Sequence, residues 1–152
     1  IDMTDMDNIQ YSWNPNLLDE RGDIDVVFMN DKAYVAGWYT HANNYSEPFD
    51  SVEQLDVTTQ QWSFVDNLNN GGGDQQYVGL NGKIFAIGGE TKLNQDSAAT
   101  EVPHLGEIST ILDVVEVYDP NAKDNEWIVL EDMPQALFRF AAAEWETGED
   151  EG

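Results

Sequence analysis

The chain has two histidines, His41 and His104. Histidine is the commonest neutral metal ligand and the usual proton shuttle near pH 7. A metal held between the two would also need carboxylates such as Glu47 or Glu101 within reach, and the spacing supplies no such pattern. An isolated loop histidine is ordinarily solvated. Asp119-Pro120-Asn121-Ala122-Lys123-Asp124-Asn125-Glu126 gathers oxygen donors as a calcium loop does. The EF-hand pattern needs an oxygen ligand where Lys123 stands and a glycine next, so this stretch reads as a turn. No catalytic, cofactor or metal residue is therefore assigned, and Ca²⁺ stays only as an alternative ligand.

Other chemistries also lack their residues. Cysteine is absent, which removes disulfides, thiolate metal sites and a thiol nucleophile. There is no Gly-x-Ser-x-Gly elbow and no GxxxxGK[ST] loop. Gly71-Gly72-Gly73 is followed by Asp74, without the lysine that a phosphate cradle uses. With 30 Asp and Glu in the chain, a glycosidase-type carboxylate pair cannot be picked out by counting. The expectation is a protein that is not an enzyme.

Aromatic residues point elsewhere. Trp38, Tyr39, His41, Tyr45 and Phe49 crowd one loop, and His104 lies in the corresponding later loop. Aromatic side chains supply large contact area at interface hot spots. These six residues are the expected contact patch for a protein partner; the competing reading is a loop packed on itself. The formal charge of −24 favours a basic partner and repels nucleic acid and anionic membranes. It also suits a highly soluble, salt-tolerant surface. No apolar run approaches the ~20 residues that span a bilayer. Asn44-Tyr45-Ser46 is a single glycosylation-acceptor triplet.

The elements that must position these loops read as short strands. Apolar residues alternate with turn signals, which argues an all-β chain. Ile24–Met29 and Ala33–Trp38 flank Asn30-Asp31, and Gln75–Leu80 and Ile84–Ile87 flank Asn81-Gly82. Both pairs suit two-residue hairpin turns, because Asn, Asp and Gly tolerate positive φ. Val52–Leu55 with Gln61–Val65, and Val114–Tyr118 with Glu126–Leu130, form the following strand pairs.

The phrases repeat. Asn30-Asp31-Lys32-Ala33-Tyr34-Val35-Ala36-Gly37 reads onto Asn81-Gly82-Lys83-Ile84-Phe85-Ala86-Ile87-Gly88, 51 positions later. Val52-Glu53-Gln54-Leu55-Asp56 leads to Trp62, as Val115-Glu116-Val117-Tyr118-Asp119-Pro120 leads to Trp127. This order resembles the kelch repeat, whose unit of about 50 residues is one four-stranded propeller blade. The resemblance implies a packing role between blades for Trp62 and Trp127. It covers roughly residues 10–147. Trp38 departs from it, standing where the paired glycines Gly88-Gly89 have their second member. Kelch-type oxidases use a Tyr–Cys crosslink, which this chain cannot form.

Counted outward, the chain holds an outer strand at about 10–18, blades at 24–68 and 75–133, and an inner strand at 137–145. Closed propellers need about 4–8 blades, because each blade buries its faces only against neighbours. Two blades leave two apolar faces open. The expectation is a partial kelch-like propeller acting as a non-catalytic protein-interaction or scaffolding module, completed by further blades or another chain. One alternative is an extracellular module that binds carbohydrate or Ca²⁺. Another is a fragment of a kelch-type enzyme whose active site lies elsewhere. The long Glu90–Asp113 connection is an insertion on one face, ending either in the start of the third strand or in a short helix.

Overall fold

The computed structural model describes residues 15–22, 24–37, 48–92, 100–102 and 107–144, with the backbone alone at 92, 100–102 and 107–109. Among these residues the protein is all β, with no helix. Val26–Met29 (β1), Lys32–Ala36 (β2), Val52–Asp56 (β3) and Gln61–Phe64 (β4) form one antiparallel sheet in that order. Gln76–Leu80 (β5) and Lys83–Ile87 (β6) begin the second repeat. Glu90–Lys92 (β7), Thr100–Val102 (β8) and Glu107–Ile111 (β9) belong to the insertion, and Val115–Tyr118 (β10) and Trp127–Val129 (β11) complete the repeat. The second blade is the sheet β11-β10-β6-β5.

The hairpins follow from their turn residues. Asn30 and Asp31 sit at φ 53° and 57°, and Asn81 and Gly82 at 51° and 74°. Positive φ at both central positions twists the turn to match its flanking strands. β1 pairs with β2 from Val26↔Val35 to Met29↔Lys32, and β5 pairs with β6 from Gln76↔Ile87 to Leu80↔Lys83.

The insertion forms a separate three-stranded sheet, ordered β7-β9-β8. Ile108 and Ile111 therefore lie in β9, neither in the third blade strand nor in a helix. Two backbone bonds close the base of the excursion. Leu112 N–H donates to the Gly89 carbonyl and Gly88 N–H to that of Val114, both near the branch point. The blade can then resume at Val115.

Cross-strand pairing assigns each face. In the first blade the rows Val26–Val35–Glu53–Phe64 and Phe28–Ala33–Leu55–Trp62 share one face. Their counterparts in the second blade are Tyr77–Ala86–Glu116–Val129 and Gly79–Ile84–Tyr118–Trp127. That second-blade face packs on the opposite face of the first blade. The shared core contains Val27, Tyr34, Ala36 and Val52 from one side and Ile84, Ala86, Tyr118 and Trp127 from the other. Leu68, in the connection between blades, is buried with them. β1 and β5 lie side by side, so the first strand of each blade is innermost.

Residues 137–144, expected as the first strand of a following unit, carry no strand. A strand is defined by its ladder, and among the described residues no β-partner pairs with this segment. It nonetheless approaches the second blade, with Leu137 accepting from Gly89 N–H and donating to the Leu112 carbonyl.

Candidate functional site

The junction between blades is built around a buried carboxylate. Glu116 is 1 % exposed on β10. Its Oε2 accepts from Asn69 N–H at 2.8 Å and its Oε1 from Asn70 N–H at 2.7 Å. Both asparagine side-chain amides donate to the same carboxylate, at 3.0 and 2.9 Å. The connection leaving the first blade is thus gripped by the third strand of the second. Trp127 fastens the same connection. Its indole Nε1–H donates to the Asp66 carbonyl at 3.0 Å, and its ring stacks on Tyr118 with centroids 5.3 Å apart.

The first blade repeats this device on the segment before it. Leu18 N–H donates to Glu53 Oε2 at 2.6 Å and Asp19 N–H to Oε1 at 3.0 Å. Trp62 Nε1–H donates to the Pro15 carbonyl at 2.9 Å. Arg21 joins here, with its side chain wholly buried. It donates to Glu53 at 2.8 Å and to the Gly37 and Ser51 carbonyls at 3.1 and 3.0 Å. Residues 15–21 therefore cross the first blade as 66–72 cross the second.

Gly37 shows why the first copy of the repeat ends in glycine. It sits at φ 62°, and a Cβ there would stand 2.6 Å from the Gly72 carbonyl. This close approach joins the end of β2 to the connection between blades.

Of the expected contact patch, Trp38, Tyr39, His41, Tyr45 and His104 lie outside the described residues. Phe49 is half-buried, and the Arg21 guanidinium stands 5.3 Å from its ring centroid. The geometry therefore ties Phe49 to the clamp around Glu53. The sequence shows the repeated Val-Glu phrase but not the role of its glutamate, which reads as one more solvated acid in an acidic chain.

A polar cleft of about 590 Å³ opens beside the junction, lined among others by Lys32, Gln54, Asp66, Tyr118, Asp124 and Glu126. Burial pushes the Tyr34 hydroxyl up to about 12, with neighbouring Tyr118 adding to the shift. Tyr118 is raised as well, by burial first and then by the Asp66 carboxylate. Tyr77 is raised chiefly by burial, and its hydroxyl donates to Gln75 Oε1 at 2.6 Å. These phenols are neutral groups near pH 7, suited to packing and hydrogen bonding rather than to proton abstraction. Among the described residues no three His, Cys, Asp or Glu side chains converge as a metal site. No helix there is long and apolar enough to cross a membrane.

The two outward faces differ in character from the junction. On the first blade Val26 and Phe28 stand 49 and 65 % exposed, whereas Phe64 on the outermost strand, at 52 %, matches its junction counterpart Val129 at 47 %. On the second, the row Val78–Phe85–Val117–Ile128 crosses all four strands. Residues 142–144 cover its inner end, leaving an apolar cleft of about 220 Å³ between them and Val78, Leu80, Phe85 and Ile87. Ile128, at the outer end, is 60 % exposed.

The sequence matches the family described as the kelch motif over residues 20–69 and 77–134. No curated protein matches the chain. Among solved structures it is similar to one titled "Structure of YjhT", with TM-score 0.55 and 16 % identity. That likeness covers 75 % of this chain and 39 % of the other, and at this identity it speaks to the fold.

Proposed function

Because this chain belongs to the kelch motif family, we propose that it is a non-catalytic protein-interaction module that works as part of a larger propeller or multi-chain complex. One observation carries this reading. On the first blade Phe28 is 65 % exposed and Trp62 half-buried in the row whose counterpart the junction buries through Ile84, Tyr118 and Trp127, and on the second blade Val78 and Phe85 are half-buried where Val27 and Tyr34 are buried. Exposed apolar patches of this kind mark interaction surfaces. The clamp on residues 15–21 supports it further, since that connection already lies where the connection between two packed blades runs. The acidic surface would favour basic partner surfaces and fast encounter at low salt.

The test is the chain by itself. It should bind a dye specific for exposed apolar surface and unfold with low cooperativity, because two sheet faces are only partly covered. A monomer that binds no dye and unfolds in one steep transition would defeat the proposal.

A further inference from the structure

The outward face of the first blade is selective about what can cover it. The internal junction supplies the template. There, Gly79 on β5 faces Val27 on β1, and a Cβ at Gly79 would stand 3.1 Å from Val27 Cγ1. The blades are close enough at this point that the second one dispenses with a side chain. Register places Phe28 at the corresponding position of the first blade, since Phe28–Ala33–Leu55–Trp62 matches Gly79–Ile84–Tyr118–Trp127. Phe28 is the most exposed large apolar residue among those described, at 65 %.

We infer that this face is a docking surface for a further four-stranded antiparallel blade, and that the innermost strand of that blade carries glycine or alanine where the first blade carries Val27. The inference rests on the interaction-module reading above and names the partner for one of its faces. Its main support is continuity with an interface already built. Residues 15–21 are held across this face by Glu53 and Trp62 as residues 66–72 are held by Glu116 and Trp127. A blade arriving through that connection meets the first blade at the spacing of the internal junction. At that spacing a benzyl group has no room against a valine, because a lone Cβ is already in tight contact. Interiors pack too densely to absorb such a volume without displacement.

The rule also excludes a partner. The chain's own blades both carry valine at the facing position, Val27 and Val78. Phe28 therefore works against a second copy of this chain docking on this face. Specificity of this kind comes from a built-in clash with the wrong occupant.

The test adds a blade to the full chain. Pro15 stands to the first blade as Asp66 stands to the second, so a duplicate of residues 24–65 is joined directly ahead of Pro15. The duplicate carries either valine at position 27 or Val27→Gly, with Val27→Ala as a second small variant. The host chain carries Phe28 or Phe28→Gly. Docking is read as oxidative protection of the host Trp62, which is half-buried here while its junction counterpart Trp127 is 4 % exposed, and whose peptide runs on into Asp66. Protection of several-fold is expected when a small residue faces Phe28 and when Phe28→Gly faces valine, and none when Phe28 faces valine. Equal protection in the Phe28–valine pairing would overturn the size rule. So would protection with Phe28→Gly but with neither small variant. Failure of every pairing would instead defeat the reading of this face as a blade-docking surface. Concentration-dependent protection of Trp62 in the unfused chain would overturn the inference by making a second copy the occupant.

Discussion

Glu53 and Glu116 stand at the same register position in consecutive blades, and each carboxylate accepts two successive backbone N–H groups from the connection entering its blade. The pair shows how the fold solves a local problem. A connection pressed into a junction between sheets has backbone donors that water cannot reach, and each must find an acceptor. One carboxylate with two oxygens satisfies two of them, with the added strength of a charged acceptor.

Removing these carboxylates should unequally weaken the two clamps. Glu116→Ala orphans backbone and amide donors, and should cost about 2–3 kcal/mol. Glu53→Ala also removes the nearer and wholly buried of Arg21's two carboxylate partners, leaving the partly exposed Asp19 at 3.3 Å, and should cost more, about 3–5 kcal/mol. Urea unfolding of each variant checks the order. Equal costs below about 0.5 kcal/mol would remove the clamp from the account.

The two tryptophans should also separate. Trp127 is 4 % exposed, stacked and hydrogen-bonded, whereas Trp62 is only half-buried. Trp127→Phe should destabilise by about 1–3 kcal/mol through lost packing and an unpaired Asp66 carbonyl. Trp62→Phe should cost under about 1 kcal/mol while its outer neighbour is missing. Covering the first blade should raise the cost of the Trp62 change toward that of Trp127, which paired denaturation curves would reveal.

Hairpin chemistry predicts a smaller, local effect. Gly82 sits at φ 74° with open space around its Cβ position, so its cost is conformational rather than steric. Gly82→Ala should destabilise by about 1–2 kcal/mol, the cost of holding an L-residue in the left-handed region. The chemical shifts of β5 and β6 should otherwise be preserved. A neutral effect on the unfolding midpoint would contradict the turn assignment.

Alkaline pH should unfold the junction. Tyr34 has its folded value raised to about 12 from an ordinary value near 10, so the fold holds the proton that the unfolded chain releases. The stability this contributes is complete below about pH 10 and is lost as pH rises towards 12. Absorbance of phenolate should show Tyr34 ionising late, together with loss of structure. A reversible titration of every tyrosine near pH 10 in an intact fold would contradict the burial.

Much of this fold is legible in the sequence because its signals are local. Asn30-Asp31 and Asn81-Gly82 announce their hairpins, and the repeated Val-Glu phrases ending at Trp62 and Trp127 give strand order. The insertion is less legible. Glu90–Lys92 and Thr100–Val102 are short and polar, and only their pairing with Glu107–Ile111 makes them a sheet. The segment at 137–144 shows the converse, a strand-like sequence without a ladder among the described residues. For the candidate site, the number of blades exposes the need for cover, but not Phe28 as the residue that chooses it. That residue looks like any alternating strand hydrophobe until register matches it to Gly79 of the second blade. The role of Glu53 and Glu116 is hidden for a similar reason, since burial depends on a connection arriving from the neighbouring repeat.

The central claim is that both outward blade faces are contact surfaces in the working protein. It is tested most directly by oxidative footprinting of Phe28, Trp62 and Phe85 in the protein isolated from its native source under mild conditions. The account predicts that all three are protected there and become reactive when the 152-residue chain is made alone. Reactivity in the native sample equal to that of the isolated chain would contradict it.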